Sequence, residues 1–267
     1  MKPRPIATVF LGGGRITGAL LAGLRLAGYK SQLIVHDRNR YKLRELKLQY
    51  GAITEAGLHH AVARARLLIV AVRPDSVRSL LQEIGDLTRP LNAVSLAAGV
   101  PLANLRKWLP APVRWARAMP SPASRSGNGL TALAFDRTFP PSARREVEAL
   151  FSRVGRVLEI PEKQFDAFTV TYSSSHGYHA LSALAQAAQN LGLDPKTSLI
   201  AAAHGLADGI VAWRKGRIPL DNLLQEAATP GGTAAAAMAA MNAAGYRRTI
   251  ARGLKAGLAR ARKNARG

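Results

Sequence analysis

The sequence predicts an α/β fold, a Rossmann-like, doubly wound and mainly parallel sheet, followed by an all-α C-terminal dimerisation domain. Two observations support this fold class. Strand and helix patterns alternate through residues 1–161, as they do in a parallel sheet covered by helices. Residues 162–267 show no strand pattern and are rich in Ala and Leu, and a bundle of such small side chains buries little area by itself. We therefore expect the helical domain to pair with a second copy.

Short β-branched or aliphatic runs predict the strands, and the run LLIVAV is apolar on both faces, as a strand of a sheet covered on both sides requires. The predicted strands are 7–11, 32–36, 67–72, 93–97 and 113–119, with two further candidates at 130–135 and 156–160. Helical patterns occupy 17–28, 40–50, 75–84, 101–108 and 141–153. In the second domain helices are predicted at 162–191, 195–214, 219–227, 233–243 and 246–264, with Asp194 as the N-cap before Pro195.

Composition limits the class of protein. The 267 residues include no cysteine, which excludes disulfides and thiolate chemistry. No apolar stretch is long enough to span a membrane, and the short apolar run near the N-terminus reads as a first strand rather than a signal peptide. These features favour a cytoplasmic protein that does not associate with membranes.

The net charge of +22 is unusual. The basic residues are scattered through the chain except at its end, where residues 246–267 carry eight Lys or Arg and no acid. Ile250, Leu254, Leu258 and Ala261 recur there at helical spacing and predict one apolar stripe. We interpret this segment as a packed helix with a solvated cationic face. A polyanion-binding tail is the alternative, with nucleic acid as the less favoured partner.

A glycine turn joins the first strand to the first helix. In GGGRITG, residues 12–18, the spacing Gly12-x-Gly14-x-x-Thr17 satisfies two of the three glycines of a dinucleotide-binding loop. The backbone there can approach a pyrophosphate, and the helix N-terminus supplies free N–H donors. We expect Gly12, Gly13, Gly14, Arg15 and Ile16 to bind the cofactor. A tight turn without a ligand is the alternative.

The residues after the second strand bear on the choice of cofactor. Asp37 lies about twenty residues beyond the loop, where ribose hydroxyls are bound. Arg38, Asn39 and Arg40 stand where a 2′-phosphate would be held, and Arg38 can also stack on adenine. We predict NADP, with NAD the less favoured alternative.

Several stretches together resemble the pyrroline-5-carboxylate reductase family. They are FLGGGRITGAL, HDRNRYKLREL, VAVRPDSV, VSLAAGVPLANLRKWL, RAMPSPASRSGNGLTAL and ATPGGTAAAAMAAMNAAGYRRTI, which occur in this order and cover nearly the whole chain. The resemblance implies a Rossmann domain followed by a helical domain that pairs with a second subunit, in homodimers or higher assemblies. It also implies hydride transfer from NAD(P)H to the C=N carbon of a cyclic imino acid, 1-pyrroline-5-carboxylate, to form proline.

The resemblance places further residues beside the cofactor. Val72, Arg73 and Pro74 would lie at the end of the third nucleotide-binding strand, with Arg73 where the family usually has Lys. Ala97, Ala98, Gly99, Met119 and Pro120 would lie near the nicotinamide. Ordinary structure at the end of the sheet is the alternative interpretation.

The chain also departs from the family pattern. The family's Met-Pro-Asn-Thr-Pro run is Met-Pro-Ser-Pro-Ala at 119–123, and its Ser-Gly-Ser-Gly-Pro-Ala-Tyr run is Ser-Ser-Ser-His-Gly-Tyr-His at 173–179. In the family's Gly-Gly-x-Thr, the Thr contacts substrate, whereas this chain has Thr233 one residue early and Ala234 in the Thr position. Backbone N–H groups and hydroxyls at the start of a helix bind carboxylates. We therefore predict a substrate carboxylate at Thr229, Gly231, Gly232, Thr233 and Ala234.

The cluster YSSSHGYH suggests a proton donor. Helical spacing would put Tyr172, His176 and His179 near one face, with Ser175 beside them as a substrate contact. His176 and Tyr178 are the candidate donors, and Thr233 completes the catalytic set. The alternative is packing at a subunit interface. Two histidines without a neighbouring carboxylate make a poor ligand set, so no metal is expected.

The sequence thus predicts an NAD(P)H-dependent reductase that converts 1-pyrroline-5-carboxylate to L-proline, because imine reduction requires mainly that cofactor and substrate be positioned. The altered pocket leaves two alternatives open. One is a reductase of a different imine or keto substrate. The other is a catalytically inactive homologue that binds the cofactor or a polyanion.

Overall fold

The structure, a computed structural model, describes residues 7–216 and 218–264. Its centre is an eight-stranded sheet. The strands are β1 (Ala7–Leu11), β2 (Leu33–His36), β3 (Ile53–Thr54), β4 (Ala65–Val70), β5 (Leu91–Ser95), β6 (Val113–Met119), β7 (Gly129–Phe135) and β8 (Gly155–Glu159). They lie in the order β3-β2-β1-β4-β5-β6-β7-β8, so the winding direction reverses between β1 and β4.

All neighbouring strands are parallel except β6 and β7, which pair antiparallel with Ala116 opposite Phe135. This confirms the doubly wound, mainly parallel sheet. In such sheets ligands bind at the carboxyl ends of the strands, beside the reversal point. The ends of β1 and β4 therefore define where a dinucleotide is expected.

Helices cover both faces of the sheet: α1 (Arg15–Leu26), α2 (Arg40–Tyr50), α3 (Leu58–Arg64), α4 (Pro74–Ile84), α5 (Leu102–Trp108), α6 (Pro141–Ser152) and α7 (Glu162–Thr171). Alternate strand residues serve two separate apolar cores. Val9 and Leu68 belong to one core, whereas Phe10 and Leu67 belong to the other. Burial on both faces explains why these strands are continuously apolar.

The rest of the chain is helical: α8 (Ser174–Asn190), α9 (Pro195–Lys215), α10 (Leu220–Ala227), α11 (Thr233–Ala243) and α12 (Tyr246–Asn264). As predicted, the Asp194 side chain caps α9 by accepting the backbone N–H groups of Lys196 and Thr197. Of the helices that the structure describes, none has both the length and the apolar composition needed to cross a membrane.

The single helix predicted over 162–191 is wrong, because the chain breaks between α7 and α8. Tyr172 leaves the helical conformation with ψ of 64°, and Ser173 is extended with its hydroxyl accepting the N–H of Ser175. Serine side chains bond to nearby backbone groups and so favour helix starts over helix interiors. Tyr172 therefore does not share a helix with His176 and His179, and the three-residue face predicted for them does not exist.

Contacts divide the chain into two compact units, one that runs up to Tyr172 and resumes at Gly257, and one that comprises Ser173–Ala256. The sequence places its domain boundary eleven residues earlier, at 161/162, where strand patterns stop. The boundary lies later in the structure because helix α7 packs on the sheet, where Phe165 is fully buried with Ala132 and Ala134 of β7. The second unit has little core of its own, and the described α10 and α11 contain no buried residue.

Candidate dinucleotide site and substrate region

The glycine turn between β1 and α1 has a backbone geometry that depends on Gly12. Gly12 has φ of +109°, and a Cβ at this position would lie 2.8 Å from the carbonyl oxygen of Ala71. The Gly12 N–H donates to the His36 carbonyl (2.8 Å), and the Thr17 hydroxyl donates to the Gly12 carbonyl (2.6 Å). The turn is therefore held tightly against the ends of β2 and β4, as a phosphate-binding loop requires.

Gly14, by contrast, faces open space. No atom lies within 4 Å of the position that its Cβ would occupy. Gly14 is the N-cap residue of α1 and has no side chain to bond the free N–H groups of the first turn. A cradle without Cβ atoms at a helix N-terminus fits a pyrophosphate, so the residues present suit a dinucleotide.

Asp37 has a structural role in this loop. Its Oδ2 accepts the N–H of Gly13 (2.7 Å), and its Oδ1 accepts the N–H of Asn39 (2.8 Å). The carboxylate thus ties the glycine turn to the segment after β2. Asn39 in turn caps α2 by accepting the N–H groups of Tyr41 and Lys42.

A cleft of about 550 Å³ lies at the carboxyl ends of β1, β2 and β4. It brings together six of the residues predicted to bind the cofactor: Gly12, Gly14, Asp37, Arg38, Val72 and Arg73. The cleft is also lined by seven residues outside that predicted set, and they are Leu11, His36, Lys42, Ala71, Ser76, Ser79 and Leu80. Among these, the serines on α4 add hydroxyl groups to one wall. The sequence pattern that could have indicated these serines is a pair of polar residues three apart in the helix that follows a nucleotide-binding strand.

Four other predicted cofactor residues adjoin this cleft without lining it. A Cβ at Gly13 would lie 3.1 Å from the Leu46 side chain and 3.4 Å from that of Asp37, and Arg15 and Ile16 form the first turn of α1. Pro74 occupies the first position of α4, where its fixed φ favours a helix start. Their role in binding stays a prediction.

The Ala97-Ala98-Gly99 turn after β5 is in contact with the end of α12. Gly99 has φ of +76°, and a Cβ there would come within 2.3 Å of the Ala261 carbonyl oxygen. The Asn264 side-chain amide donates to the Ala98 carbonyl (3.4 Å). These contacts support the alternative interpretation, in which this turn is ordinary structure at the end of the sheet. They also support the packed interpretation of the terminal helix, whose Ala261 is buried while Ile250 is half exposed.

The Met119-Pro120 segment continues from β6 at the same edge of the sheet. Met119 packs against the small apolar cluster around Phe165. The following residue, Ser121, is buried and its hydroxyl accepts a hydrogen bond from the Tyr172 hydroxyl (2.9 Å), which itself accepts the N–H of Leu130 (2.9 Å). Tyr172 therefore fixes the loop that follows β6.

Arg117 is a buried charge that sequence reasoning missed. Its side chain is 1% exposed and pairs with Glu162 (3.1 Å) and Asp166 (2.6 Å) of α7. Its guanidinium also lies over the Phe165 ring, 4.1 Å from the centroid. Because a buried charge must be paired, an arginine in an apolar strand signals acids on the element that covers it. This cluster anchors α7 directly behind the Met119 loop.

The predicted carboxylate site lies between α10 and α11. Gly231 has φ of +78°, and Gly232 is the N-cap residue of α11 without a side-chain cap, so Thr233 begins the helix. The Thr229 hydroxyl donates to the Glu226 carbonyl (3.2 Å), at the end of α10. Thr233 and Ala234 are exposed. The turn therefore presents backbone N–H groups at a helix N-terminus, as the sequence led us to expect.

The α8 cluster is spread along the surface of the second unit. Ser175, His176 and Tyr178 are exposed, and the Ser175 hydroxyl lies 2.7 Å from that of Ser173. Tyr178 lines a pocket of about 330 Å³ whose other lining residues come from α8 and the start of α9. Residues 229–234 do not line this pocket. Across the described ranges, no three His, Asp or Glu side chains form a possible metal site.

Comparison with known proteins follows the same two-part division. Residues 7–99 match the family profile described as NADP oxidoreductase, coenzyme F420-dependent, and residues 162–264 match that for pyrroline-5-carboxylate reductase dimerisation. A pyrroline-5-carboxylate reductase of Mycobacterium tuberculosis is 31% identical in an alignment that covers 90% of each chain. The chain belongs to the pyrroline-5-carboxylate reductase family. A relative from Mycobacterium leprae is 32% identical and also aligns over 90% of both chains.

Solved structures agree on the fold of this family member. A pyrroline-5-carboxylate reductase from Coxiella burnetii gives a TM-score of 0.86 at 24% identity, covering 98% of this chain and 99% of that one. A Plasmodium falciparum pyrroline carboxylate reductase with NADP bound also gives 0.86, at 18% identity, covering 97% and 98%. At these identities the likeness concerns the fold. The expected order of a Rossmann-like domain and a helical dimerisation domain is confirmed.

Proposed function

We propose that this protein is a pyrroline-5-carboxylate reductase that transfers hydride from NAD(P)H to the C=N carbon of 1-pyrroline-5-carboxylate and forms L-proline. The observation that carries this proposal is the 31% identity to a pyrroline-5-carboxylate reductase over 90% of both chains. The glycine turn and the cleft beside it supply the cofactor site that the reaction needs. A reductase of another imine or keto substrate, and an inactive homologue, are not favoured.

We propose NADP rather than NAD as the cofactor. Both carboxylate oxygens of Asp37 accept backbone N–H groups of the loop, which reduces their availability to ribose hydroxyls. Arg38 and Lys42 line the same end of the cleft and supply positive charge for a 2′-phosphate. The matched NADP oxidoreductase profile and the NADP-bound relative are consistent with this choice.

The protein's own contribution to the reaction is chiefly positioning. The turn at Gly12 and Gly14 and the N-terminus of α1 hold the pyrophosphate. The turn at Gly231 and Gly232, with the hydroxyl of Thr233, binds the substrate carboxylate at the N-terminus of α11. The bound cofactor supplies the hydride. An iminium substrate already carries its proton, so no protein proton donor is obligatory.

We propose that the working form is a homodimer or a higher homo-oligomer. The second unit leaves large apolar side chains in water, among them Ile210, Trp213, Leu220 and Met241. A groove of about 750 Å³ between α9 and α10 is lined mostly by such residues. Exposed apolar faces of this extent are typical of subunit interfaces, and the matched dimerisation profile covers them.

The activity is tested by following NADPH oxidation at 340 nm with 1-pyrroline-5-carboxylate and with a panel of other cyclic imines. We expect turnover with the first substrate and the appearance of proline. Turnover confined to a different imine would assign another substrate. Bound NADPH without turnover on any imine would favour the inactive homologue.

The carboxylate site is tested with a matched pair of variants in the same assay. We expect Thr233→Ala to raise KM for 1-pyrroline-5-carboxylate, because it removes a hydroxyl at the helix start. Ala234→Thr should lower KM, because it restores a hydroxyl where the family has one. Unchanged KM in both variants, with kcat also unchanged, would place the carboxylate elsewhere.

A further inference from the structure

An ion pair joins the two walls of the cofactor cleft. Arg38, just after β2, donates from Nη2 to Oε2 of Glu83 on α4 at 2.5 Å. Ser79 and Leu80 of α4 line the cleft, and Glu83 lies one helical turn beyond Ser79. Arg38, one of the residues expected at the 2′-phosphate, is thus already paired with an acid of α4, the helix that forms another wall of the cleft.

The second cation at this end of the cleft has a different type of partner. Lys42 Nζ lies 4.0 Å from Asp37 Oδ2, so its acid belongs to the loop that shapes the cleft. Among the described hydrogen bonds and ion pairs, the contact of Glu83 with this region is its pair with Arg38, and none joins Glu83 to the glycine turn. It is therefore the acid that can leave its cation without disturbing the glycine turn.

We propose that Glu83 competes with the adenosine 2′-phosphate of NADP for the guanidinium of Arg38, and thereby sets how strongly the protein prefers NADP over NAD. This inference rests on the proposed use of NADP. When a 2′-phosphate binds, Arg38 exchanges the carboxylate for the phosphate, and the exchange offsets part of the gain in affinity. When NAD(H) binds, no phosphate is present and the Arg38–Glu83 pair persists.

The expected change in NADPH affinity follows from how exposed the two paired side chains are. The side chains of Arg38 and Glu83 are 73% and 43% exposed. Exposed ion pairs are weak, so removing the competitor should strengthen NADPH binding by about two- to fivefold rather than by orders of magnitude. Glu83 is in this sense a specificity-determining residue that need not touch the cofactor.

The test compares the dissociation constants of NADPH and NADH, measured by fluorescence titration of the full-length protein. For Glu83→Gln we expect the NADPH constant to fall by about two- to fivefold and the NADH constant to stay unchanged. Asp86→Asn is the matched control, because Asp86 is an exposed acid just beyond the same helix with no ion pair in the described part of the chain. It should leave both constants unchanged.

A double-mutant cycle with Arg38→Gln separates competition from a general effect of charge. In the Arg38→Gln background, Glu83→Gln should no longer strengthen NADPH binding. The inference is overturned if Glu83→Gln leaves NADPH affinity unchanged, if it strengthens NADH binding equally, or if its effect persists without Arg38. A wild-type protein that binds NADH more tightly than NADPH would refute the cofactor proposal instead, and the cycle would still report on the competition.

Discussion

Replacing Gly14 with alanine should weaken cofactor binding and leave folding nearly unchanged. The backbone of Gly14 has φ of −78° and ψ of −176°, an extended conformation that alanine adopts without strain. Its Cβ would meet no atom within 4 Å. Alanine is a poorer N-cap residue than glycine but restricts the unfolded chain, so these effects of about 0.5–1 kcal/mol oppose each other. We expect the free energy of unfolding to change by less than about 1 kcal/mol.

The added methyl group occupies the space through which a pyrophosphate would approach the loop. Filling a close-fitting site with one extra methyl typically costs about 1–3 kcal/mol. At 25 °C this corresponds to a weakening of NADPH binding by about 5- to 160-fold. The measurement is a fluorescence titration with NADPH, alongside urea unfolding of the variant without cofactor.

Gly12→Ala provides the contrast. A Cβ at Gly12 would lie 2.8 Å from the Ala71 carbonyl oxygen, and φ of +109° is unfavourable for alanine. We expect this variant to lose at least about 2 kcal/mol of unfolding free energy in addition to cofactor affinity. If Gly14→Ala binds NADPH as tightly as the wild-type protein, the loop is not the pyrophosphate site and the assignment of the cleft is wrong.

Two further predictions concern elements that support the site. Tyr172→Phe should lower the free energy of unfolding by about 1–3 kcal/mol, because it leaves the N–H of Leu130 without its hydroxyl acceptor; an unchanged urea midpoint would contradict this. For Asp136, burial alone would raise the pKa, but hydrogen bonds from Arg106 and Thr138 hold the pKa below its ordinary value. Its contribution to stability is therefore complete above the unfolded pKa, near 4, and is lost as pH falls through the lower folded pKa. Asp136→Asn should cost about 1–3 kcal/mol at pH 7 and flatten the decline of the urea midpoint below pH 4, whereas an equally steep decline would assign it to other groups.

Elements with strong local patterns were predictable from the sequence. The bounds predicted for β1, β6 and α2 agree with the structure at every terminal residue. Helix α2, for example, begins after the N-cap Asn39 and ends before Gly51, whose φ is +59°. Such caps are local signals, and they do not depend on what the helix packs against.

Elements without a local pattern were missed. Strand β3 has two residues, Ile53 and Thr54, too few for any periodicity to be visible. Helix α3 has seven residues and ends directly at β4, so the turn signals that normally separate elements are absent. The break after Tyr172 did have a local signal, because Ser173 caps α8 and serine favours a helix start over a helix interior, but the prediction of one helix over 162–191 did not use it.

In the candidate site, too, features formed by consecutive residues were predictable, whereas contacts between residues far apart in the chain were not. The glycine turn was predictable because strand, loop and helix are consecutive in the chain. The contributions of Ser76 and Ser79 to the cleft, and the pairing of Arg38 with Glu83, depend on how β2 and α4 are brought together across the sheet. No spacing in the sequence encodes a contact between residues 45 positions apart.

The stretch TPGGTAAAAMAAM differs from the glycine turn at Gly12 in the contacts that hold it in place. Helix α11 has 11 residues, and isolated helices of this length are marginal in water even when rich in alanine. Within the described chain α11 buries none of its residues, so packing in the single chain does not account for its stability. Alanine side chains let a neighbouring helix approach closely, and the family's dimerisation domain provides such a neighbour. We therefore expect the carboxylate turn at Gly231 and Gly232 to be held in place only in the oligomer, whereas the glycine turn at Gly12 is fixed by backbone contacts within one chain.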